Sequence, residues 1–488
     1  MIRVVTNPYR KWFFAGLVVL LIAAWFSVGY NHYDEHFQVM EFCNYKLGLS
    51  ASSDLPWEFT THCRPALQPF VAYCIARTLQ NIGMYNPFSV AFLLRVIMAV
   101  LTWVVTCRMV LLLLPDLKTE KGRQLYVQLS FLLWFVPYIG VRFSAEHIAG
   151  VLFFLGLTIV PGILSTHGTK HYQRLMITGL LWGLVFCVRV QMGFAFLGLG
   201  LWVLFYRRWQ WKEWFVICLF GLVAMGLSAV IDHWFYGEWV FTPFNYYKVN
   251  IMQHAAAKYG MSPWWYYFKL FFDYAIPPLS YVLLPMFILG MYKKPAHLFT
   301  WVCVAFIAGH CMISHKEMRF LIPIMFAFIY LVATFMDGLF VQYPENSVLK
   351  RGLTIVLFFN AVLLVGKIFI PAHEAVGYYK AIYDVARKQP TTLICYKESP
   401  YHIVGLEVNF YKPQNLDIKI VDSAGQVAQA ISEAAGRTVL FMNPNMDPLS
   451  MFAPYEKEKV YCLLPDWIHY VNFGDWISRS YIWSIYRL

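Results

Sequence analysis

Long apolar segments alternate with short polar stretches along the first three quarters of the chain. A helix that crosses a bilayer needs about 20 predominantly apolar residues, and the longer segments approach that length, so we predict about eleven transmembrane helices. The segments are 12–28, 88–114, 126–139, 148–164, 175–190, 193–206, 214–231, 266–291, 298–313, 320–336 and 353–370. A shorter segment, 66–79, follows Pro65 and contains Pro69 and Arg77, which favours an interfacial or re-entrant helix.

The pattern changes after residue 371. Candidate helices now alternate with short apolar strands, as is typical of a small α/β domain. The helices are expected at 376–388 and 425–435, and the strands at 392–396, 418–421, 438–442 and 460–464. We therefore predict a membrane module over 1–371, with external loops at 29–65 and 232–265, followed by an external α/β domain over 372–488.

Composition and charge narrow the class of protein. Of 488 residues, 59% are hydrophobic and 14% are charged, which excludes an ordinary soluble domain. The net charge is +12, and every second loop is rich in Lys and Arg, as expected when these residues remain on the cytoplasmic side. The N-terminus is then cytoplasmic and the C-terminal domain external. The basic loops contain Arg3, Arg10 and Lys11; Lys118, Lys121 and Arg123; Lys170 and Arg174; Arg207, Arg208 and Lys212; Lys293 and Lys294; Lys350 and Arg351.

The densest group of charges lies between two apolar segments and contains His315, Lys316, Glu317 and Arg319. Ionisable side chains beside a bilayer are energetically costly, so they usually face a polar cavity or pair with one another. This group therefore marks a candidate functional site. The alternative interpretation is an interfacial loop whose long cationic side chains extend towards water.

Two adjacent carboxylates, Asp34 and Glu35, closely follow the first apolar segment. At the external end of a membrane helix, such a pair can act as a general base or bind a metal ion. A helix through this stretch would place Asp34, Gln38 and Glu41 on one face. A solvated acidic loop is the alternative interpretation.

Three more charged residues fall on the predicted external side. Arg142 and Glu146 precede an apolar segment, where Arg142 can bind phosphate and Glu146 a sugar hydroxyl, or the two can form a structural ion pair. Arg189 ends another segment beside Gln191 and suits a lipid phosphate, with interfacial anchoring as the alternative.

The longest external loop, 232–265, mixes aromatic and polar residues. Its candidate sugar-binding residues include Asp232, Tyr236, Asn245 and Trp264. A pyranose has an apolar face and a hydroxylated rim, so stacking rings beside hydrogen-bonding groups suit a sugar. An interfacial aromatic belt would explain the Trp and Tyr residues but not the interspersed Asn, Asp and His residues.

These residues lie in motifs that resemble those of a known family. His315-Lys316-Glu317-x-Arg319-Phe320 looks like the HKExRF signature of the GT-C class mannosyltransferases of glycosyltransferase family 22, which include enzymes of GPI-anchor and N-glycan-precursor synthesis. Further similar stretches are Tyr33-Asp34-Glu35-x-Phe37-Gln38-x-x-Glu41, Asp232-x-x-x-Tyr236-Gly237-x-Trp239-Val240-x-Thr242-Pro243-x-Asn245 and Tyr259-Gly260-x-x-Pro263-Trp264. The resemblance covers residues 11 to about 370. Arg189-Val190-Gln191 departs from the family's frequent Arg-Pro-Thr.

The resemblance implies a GT-C fold and inverting transfer of a sugar, most often mannose, from a polyprenyl phosphate such as dolichol phosphate. The acceptor would be lipid-linked or a glycan, on the external side of the membrane. Asp34 would act as general base with help from Glu35, and Glu317 would orient the cations or contact sugar together with Glu41 and Glu146. The residues expected to bind the donor phosphate are His315, Lys316, Arg319, Arg142 and Arg189.

Other features stay open in the sequence. No ligand spacing requires a metal ion or other cofactor, although Mg²⁺ or Mn²⁺ is compatible with the chemistry. The expected partners are the lipid donor, the acceptor and membrane lipids, and no nucleic acid. A bacterial inner membrane is expected, with the endoplasmic reticulum as alternative. The rival functions are transfer of another sugar to a protein or lipid, and a lipid or glycan transporter, which would instead show inverted repeats and broken helices.

Overall fold

The structure, a computed structural model, describes residues 7–160, 168–207, 210–455 and 458–488. Two of the predicted cytoplasmic cations, Arg3 and Arg208, and the end of the predicted segment 148–164 lie outside the described residues. The chain forms two compact units. The first, the membrane unit, comprises Met1–Ser27, Trp57–Val71 and Phe92–Ile370, and the second, the α/β unit, comprises Val28–Pro56, Ala72–Ala91 and Pro371–Leu488.

Helices dominate the chain up to residue 369. The longer ones are α1 (Arg10–Phe26), α2 (Leu67–Asn81), α3 (Pro87–Leu113), α4 (Glu120–Leu132), α5 (Ala145–Leu157), α6 (Thr169–Val188), α7 (Gly193–Trp202), α8 (Trp211–Tyr236), α9 (Tyr266–Ala275), α10 (Leu279–Lys293), α11 (Leu298–Met312), α12 (Met325–Gln342) and α13 (Ser347–Phe369). Each overlaps an apolar segment identified in the sequence, since such segments form helices that satisfy their own backbone hydrogen bonds.

Within the described residues, four helical stretches are both long and apolar enough to cross a membrane: Pro87–Asp116, Trp211–Tyr236, Met318–Gln342 and Ser347–Phe369. Their burial differs. The most apolar part of Met318–Gln342 is 78% buried, whereas that of Ser347–Phe369 is 11% buried. An apolar helix with so little buried surface is suited to face lipid, whereas α12 lies in the protein core. The total of about eleven crossings stays a prediction.

Two predicted segments are interrupted at prolines. The segment 266–291 divides at Ile276-Pro277-Pro278, where α9 ends and α10 begins. The segment 126–139 divides after α4, and a short helix, Val136–Gly140, restarts with Pro137 in its first turn. Proline lacks a backbone N–H and blocks the preceding turn, so it begins a helix more readily than it continues one.

Glycines allow α6 and α8 to approach closely. A Cβ atom on Gly183 would clash with the backbone carbonyl of Gly221, and one on Gly179 would lie 2.5 Å from the carbonyl oxygen of Ile217. Small residues at a helix interface are typical of membrane proteins, where backbone packing replaces the hydrophobic effect as the attraction between helices. The α6–α8 pair depends on these two glycines.

The α/β unit is built on a five-stranded sheet of order β4-β1-β5-β7-β6. The strands are β1 (Thr391–Tyr396), β4 (Leu416–Val421), β5 (Thr438–Asn443), β6 (Glu458–Cys462) and β7 (Ser484–Arg487), and β2 (His402–Ile403) pairs with β3 (Leu406–Glu407) in a separate ladder. The first three are parallel, with Thr391 opposite both Leu416 and Thr438, and β7 runs antiparallel to β5 and β6. Helices α14 (Ala375–Ala386) and α15 (Ala424–Glu433) complete the unit.

The α/β unit also contains two stretches that the sequence assigned to the membrane module. The Glu41 carboxylate accepts the Phe410 N–H at 2.9 Å, and Asn409 donates to Asp54 at 2.9 Å. Hydrogen bonds of this kind hold 28–56 to the C-terminal part. Residues far apart in sequence therefore form one folded unit. The predicted division into a membrane module over 1–371 and an external domain over 372–488 stays a prediction.

We predict that Gly183→Ala lowers the unfolding temperature of the detergent-solubilised protein, because the added methyl group forces α6 and α8 apart. Such overpacking lowers the free energy of unfolding by about 1–3 kcal/mol. Gly226→Ala on α8 is the matched control, since its Cβ would meet nothing within 4 Å. That control should be neutral or slightly stabilising, because alanine favours a helix over glycine. Equal unfolding temperatures for the two variants would contradict the close packing of α6 and α8.

Candidate functional site

Basic side chains surround the ring of Phe320 in the membrane unit. The guanidinium carbons of Arg189 and Arg319 lie 5.1 and 5.2 Å from its centroid. The imidazole centroids of His315 and His310 lie 6.1 and 6.4 Å away. Cations favour the face of an aromatic ring. The 3₁₀ helix Met318–Ile324, which follows the His315–Glu317 loop, positions Phe320 so that it gathers this basic group.

Two carboxylates hold the cations in place. Glu317 accepts two hydrogen bonds from Arg319, at 2.6 and 3.1 Å, and lies 3.0 Å from the His315 Nε2 atom. Glu146 accepts a hydrogen bond from Arg189 at 2.7 Å and lies 3.5 Å from Arg319. A two-point bond between guanidinium and carboxylate fixes direction as well as distance. The structure thus places Glu317 and Glu146 where they orient cations, and any contact with sugar stays a prediction.

Lys316 occupies a separate buried position in the same loop. Its ammonium group donates hydrogen bonds to the carbonyl oxygens of Ile313 and Ser262 at 2.6 and 2.9 Å. The residue is only 5% exposed, and burial lowers the pKa of Lys316 below its ordinary value. Two neutral carbonyl groups compensate the charge incompletely. An anion beside this ammonium group would be favoured for the same reason.

Three of the predicted sugar-binding residues hold the protein's own backbone. Asp232 accepts the Ala66 N–H at 2.7 Å, the Tyr236 hydroxyl donates to the Arg64 carbonyl at 2.6 Å, and Asn245 donates to the His62 carbonyl at 3.1 Å. Together they fasten residues 62–66 to the loop that follows α8. Their sugar contacts stay predictions, and the contacts that the structure shows are structural.

Trp264 differs from those three residues. Its side chain is 67% exposed, so the indole face is accessible to a ligand. Tyr259, five residues earlier in the same loop, is 59% exposed and accepts a hydrogen bond from the Trp57 indole at 2.7 Å. Exposed aromatic faces suit stacking on a sugar ring, so the exposure of Trp264 is compatible with its predicted role. That role stays a prediction.

Arg142 lies at the end of a helix. It donates hydrogen bonds to both the backbone carbonyl and the hydroxyl of Ser27, the cap residue that follows α1, and it stacks over Tyr138 at 5.2 Å. Since the carbonyls at a helix C-terminus carry partial negative charge, the arginine stabilises α1. The predicted phosphate contact of Arg142 stays a prediction.

In the α/β unit, Asp34 and Glu35 lie in a short helix, Tyr33–Glu35. The Asp34 backbone N–H donates to His32 Nδ1 at 3.2 Å, and the Asp34 carboxylate lies 3.5 Å from the same nitrogen. Its side chain is 29% exposed, so water and ligands can reach it. Glu35 accepts the Asn31 N–H at 3.2 Å. A partly exposed carboxylate next to an imidazole can accept a proton.

Glu41 does not share this exposure, contrary to the predicted common face. The chain forms a π-helical turn over His36–Glu41, and this wider turn changes the angular spacing of the side chains. Glu41 is 1% exposed, and it contacts His36 Nε2 at 2.8 Å as well as the Phe410 N–H. The structure gives Glu41 a role inside the α/β unit, and its predicted acceptor contact stays a prediction.

The sequence interpretation missed His310 and Tyr267, whose helices pack against the 3₁₀ helix that contains Phe320. Both are buried and belong to helices, α11 and α9. The signal for His310 is a single ionisable side chain within the apolar segment 298–313, which is unusual in a membrane helix. Tyr267 gives no comparable signal, because tyrosine is common at the ends of such helices. Among the described residues, no group of three or more His, Cys, Asp or Glu side chains is arranged to hold a metal ion.

Comparison with known proteins identifies relatives. The model of the Alg9-like mannosyltransferase family matches residues 11–406. GPI alpha-1,2-mannosyltransferase 3 of Homo sapiens is 27% identical over 60% of this chain and 51% of its own length. The Bos taurus protein of the same name is 26% identical over 56% of this chain and 49% of its length, and GPI mannosyltransferase 3 of Yarrowia lipolytica 29% over 55% and 51%. The chain spans about half the length of the curated relatives it matches.

A solved structure is similar over nearly the whole chain. ArnT from Cupriavidus metallidurans, crystallised with undecaprenyl phosphate, superposes with a TM-score of 0.52 and 12% identity, covering 99% of this chain and 98% of ArnT. At that identity the similarity concerns the fold. It confirms the predicted fold class, a helical GT-C membrane protein with a C-terminal α/β part.

We predict that Glu146→Gln destabilises the protein by about 3–5 kcal/mol, because it leaves the Arg189 guanidinium buried without its carboxylate. Chemical or thermal unfolding in detergent measures the loss. The double variant Glu146→Gln/Arg189→Gln should recover part of the stability, since no unpaired charge remains at that position. Glu345→Gln, which breaks a surface pair with Lys350, is the control and should change little. An unchanged Glu146→Gln variant would show that the buried pair contributes nothing.

Proposed function

The chain belongs to the Alg9-like mannosyltransferase family, and from this premise we propose that it transfers mannose from a polyprenyl phosphate to a glycolipid acceptor on the external side of the membrane. The observation that carries the proposal is the basic group around Phe320, which lies at the end of apolar helices and is held by Glu146 and Glu317. A phosphate attached to a lipid needs cations at that position.

The proposed chemistry gives each of the following residues one role. Asp34 removes the proton from an acceptor hydroxyl as its oxygen bonds to the anomeric carbon of mannose. The bond from that carbon to the phosphate oxygen breaks on the opposite face, so the configuration inverts, and the lipid phosphate leaves with the bonding electrons. Lys316 and Arg319 stabilise the negative charge that develops on this phosphate. Glu35 assists Asp34, and the leaving phosphate needs no general acid.

The named relatives support an acceptor of the GPI glycolipid type and an α-1,2 linkage, since those words describe the human and bovine proteins. The expectation of a bacterial inner membrane finds no support in the three reported relatives, which come from eukaryotes. The proposed location is therefore an internal eukaryotic membrane such as the endoplasmic reticulum, with the reaction on its lumenal side. Mg²⁺ or Mn²⁺ is compatible with the proposal and is tested by adding a chelator.

We predict that Asp34→Asn lowers mannose transfer by about 10²–10⁴-fold, the range lost with a general base. The purified protein in lipid would receive labelled polyprenyl-phosphate mannose, or GDP-mannose, with a membrane lipid extract as acceptor. Asp54→Asn is the control, because this carboxylate lies in the same unit and binds Asn409 instead. Transfer only from the lipid donor supports the proposal. Activity that survives Asp34→Asn would overturn the assigned base.

We predict that kcat/KM falls at alkaline pH and that Lys316→Arg moves this fall to higher pH. Burial lowers the pKa of Lys316, so its charge is lost at a lower pH than that of an exposed lysine. An arginine keeps its charge throughout the accessible range. The profile of kcat/KM reports groups of the free enzyme. Lys350→Arg on the surface is the control. Identical alkaline limbs in wild type and Lys316→Arg would contradict a role for the Lys316 charge.

A further inference from the structure

Three buried side chains of the membrane unit carry polar atoms that have no hydrogen-bond partner among the described residues. These atoms are Nε and Nη2 of Arg189, the hydroxyl of Tyr267 and Nε2 of His310. The three residues are 5%, 4% and 1% exposed. An unsatisfied polar group in an apolar interior is costly, and a guanidinium is costlier still because it keeps its charge. Such atoms are therefore available to a ligand.

The three side chains share their surroundings. Arg189 lies 5.1 Å and His310 lies 6.4 Å from the Phe320 ring. Helix α9, which carries Tyr267, packs against the 3₁₀ helix that contains Phe320. Phe306 and Phe194 lie 4.2 and 5.5 Å from the His310 ring. Apolar rings on several sides exclude water, which strengthens an electrostatic contact with any ligand that enters.

The chemistry of the free atoms selects the ligand. Arg189 offers two N–H donors and a permanent charge, and Tyr267 offers an O–H donor, so an oxyanion is favoured over a cation or an apolar group. His310 Nδ1 lies 2.9 Å from the Phe306 carbonyl oxygen, which only accepts, so Nδ1 carries the hydrogen. Nε2 of the neutral ring then has a lone pair and needs a ligand that supplies a proton.

We propose that Arg189, Tyr267 and His310 form a subsite for a phosphate monoester with one shared proton between a phosphate oxygen and His310 Nε2. Arg189 and Tyr267 donate to the other oxygens. The proposal rests on the proposed function, in which the spent carrier is a polyprenyl phosphate monoester. The sugar donor is a phosphodiester and has no P–OH group. The subsite therefore recognises the leaving carrier more strongly than the loaded donor.

Ligand-induced stabilisation of the full-length protein in detergent tests the subsite without any sugar transfer. The probes are farnesyl phosphate, its methyl diester, farnesol and inorganic phosphate. We expect farnesyl phosphate to raise the unfolding temperature most, and about tenfold tighter binding of the monoester than of the diester. Equal binding of monoester and diester would overturn the proton-sharing role of His310. An equal shift with farnesol would show that the apolar chain alone accounts for binding, and the phosphate subsite would be wrong. An equal shift with inorganic phosphate would show that the site does not recognise the lipid chain, and the assignment to a lipid carrier would be wrong.

The variant Tyr267→Phe tests whether the Tyr267 hydroxyl binds the ligand or is only a buried group without a partner. Without ligand, the variant should be at least as stable as wild type, because it removes a buried hydroxyl that lacks a partner. With farnesyl phosphate, it should bind about tenfold more weakly. Tyr401→Phe is the matched control, since its hydroxyl is also buried without a partner but lies in the α/β unit. If Tyr267→Phe keeps the full ligand shift, Tyr267 is not part of the subsite.

His310→Asn and His310→Gln test the nitrogen itself. The Asn side chain keeps a donor close to the Nδ1 position and loses the distal polar atom, whereas Gln places a polar atom near the Nε2 position. We expect Asn to abolish the preference for the monoester and Gln to retain part of it. Equal preferences in both variants and wild type would overturn the assignment of His310.

These measurements distinguish the subsite from the transferase proposal. If wild type transfers mannose but shows no preference for the monoester, the subsite is wrong and the transferase proposal stands. If wild type prefers farnesyl phosphate but transfers no mannose from any donor, the subsite stands as a lipid-phosphate site and the transferase proposal fails.

Discussion

The pairing of buried cations with buried carboxylates is the constraint on which the candidate site depends. Arg189 and Arg319 remain charged at any physiological pH, and a guanidinium in a low-dielectric interior is stable only beside an anion. Glu146 supplies this anion from α5, and Glu317 supplies it from the loop after α11. Arg189, Arg319 and Lys316 outnumber the two carboxylates, and the hydrogen bonds of Lys316 go to backbone carbonyl groups, so the group keeps a net positive charge.

The residues that match the family motifs have two different structural roles. Those between His315 and Phe320 assemble the basic group. Asp232, Tyr236 and Asn245 instead bind backbone groups of residues 62–66, which shapes the loops of the membrane unit. A buried Asp that accepts a backbone N–H is as intolerant of substitution as one that touches substrate, since the lost hydrogen bond leaves a buried donor unsatisfied. Motif membership therefore does not by itself mark contact with a sugar.

The α/β unit shows how a small change in backbone geometry separates neighbouring acids. Asp34 lies before the π-helical turn and remains accessible, whereas Glu41 lies at its end and is enclosed with His36 and the Phe410 N–H. The accessible acid is the one that the proposed mechanism uses as general base, and the enclosed acid stabilises the α/β unit. The hydrogen bond from the Phe410 N–H to Glu41 also joins residues 28–56 to the C-terminal part.

The sequence alone determined the helical membrane class, the α/β character of the C-terminal part and the concentration of charge between His315 and Phe320. Apolar length, strand alternation and local charge are properties of neighbouring residues, so they can be read along the chain. Only the tertiary structure decided that Glu146 pairs with Arg189, that Glu41 is enclosed and that His310 and Arg189 meet at the Phe320 ring. The partner of a buried polar group is chosen by the packing of helices that are distant in sequence, and no local pattern records that choice.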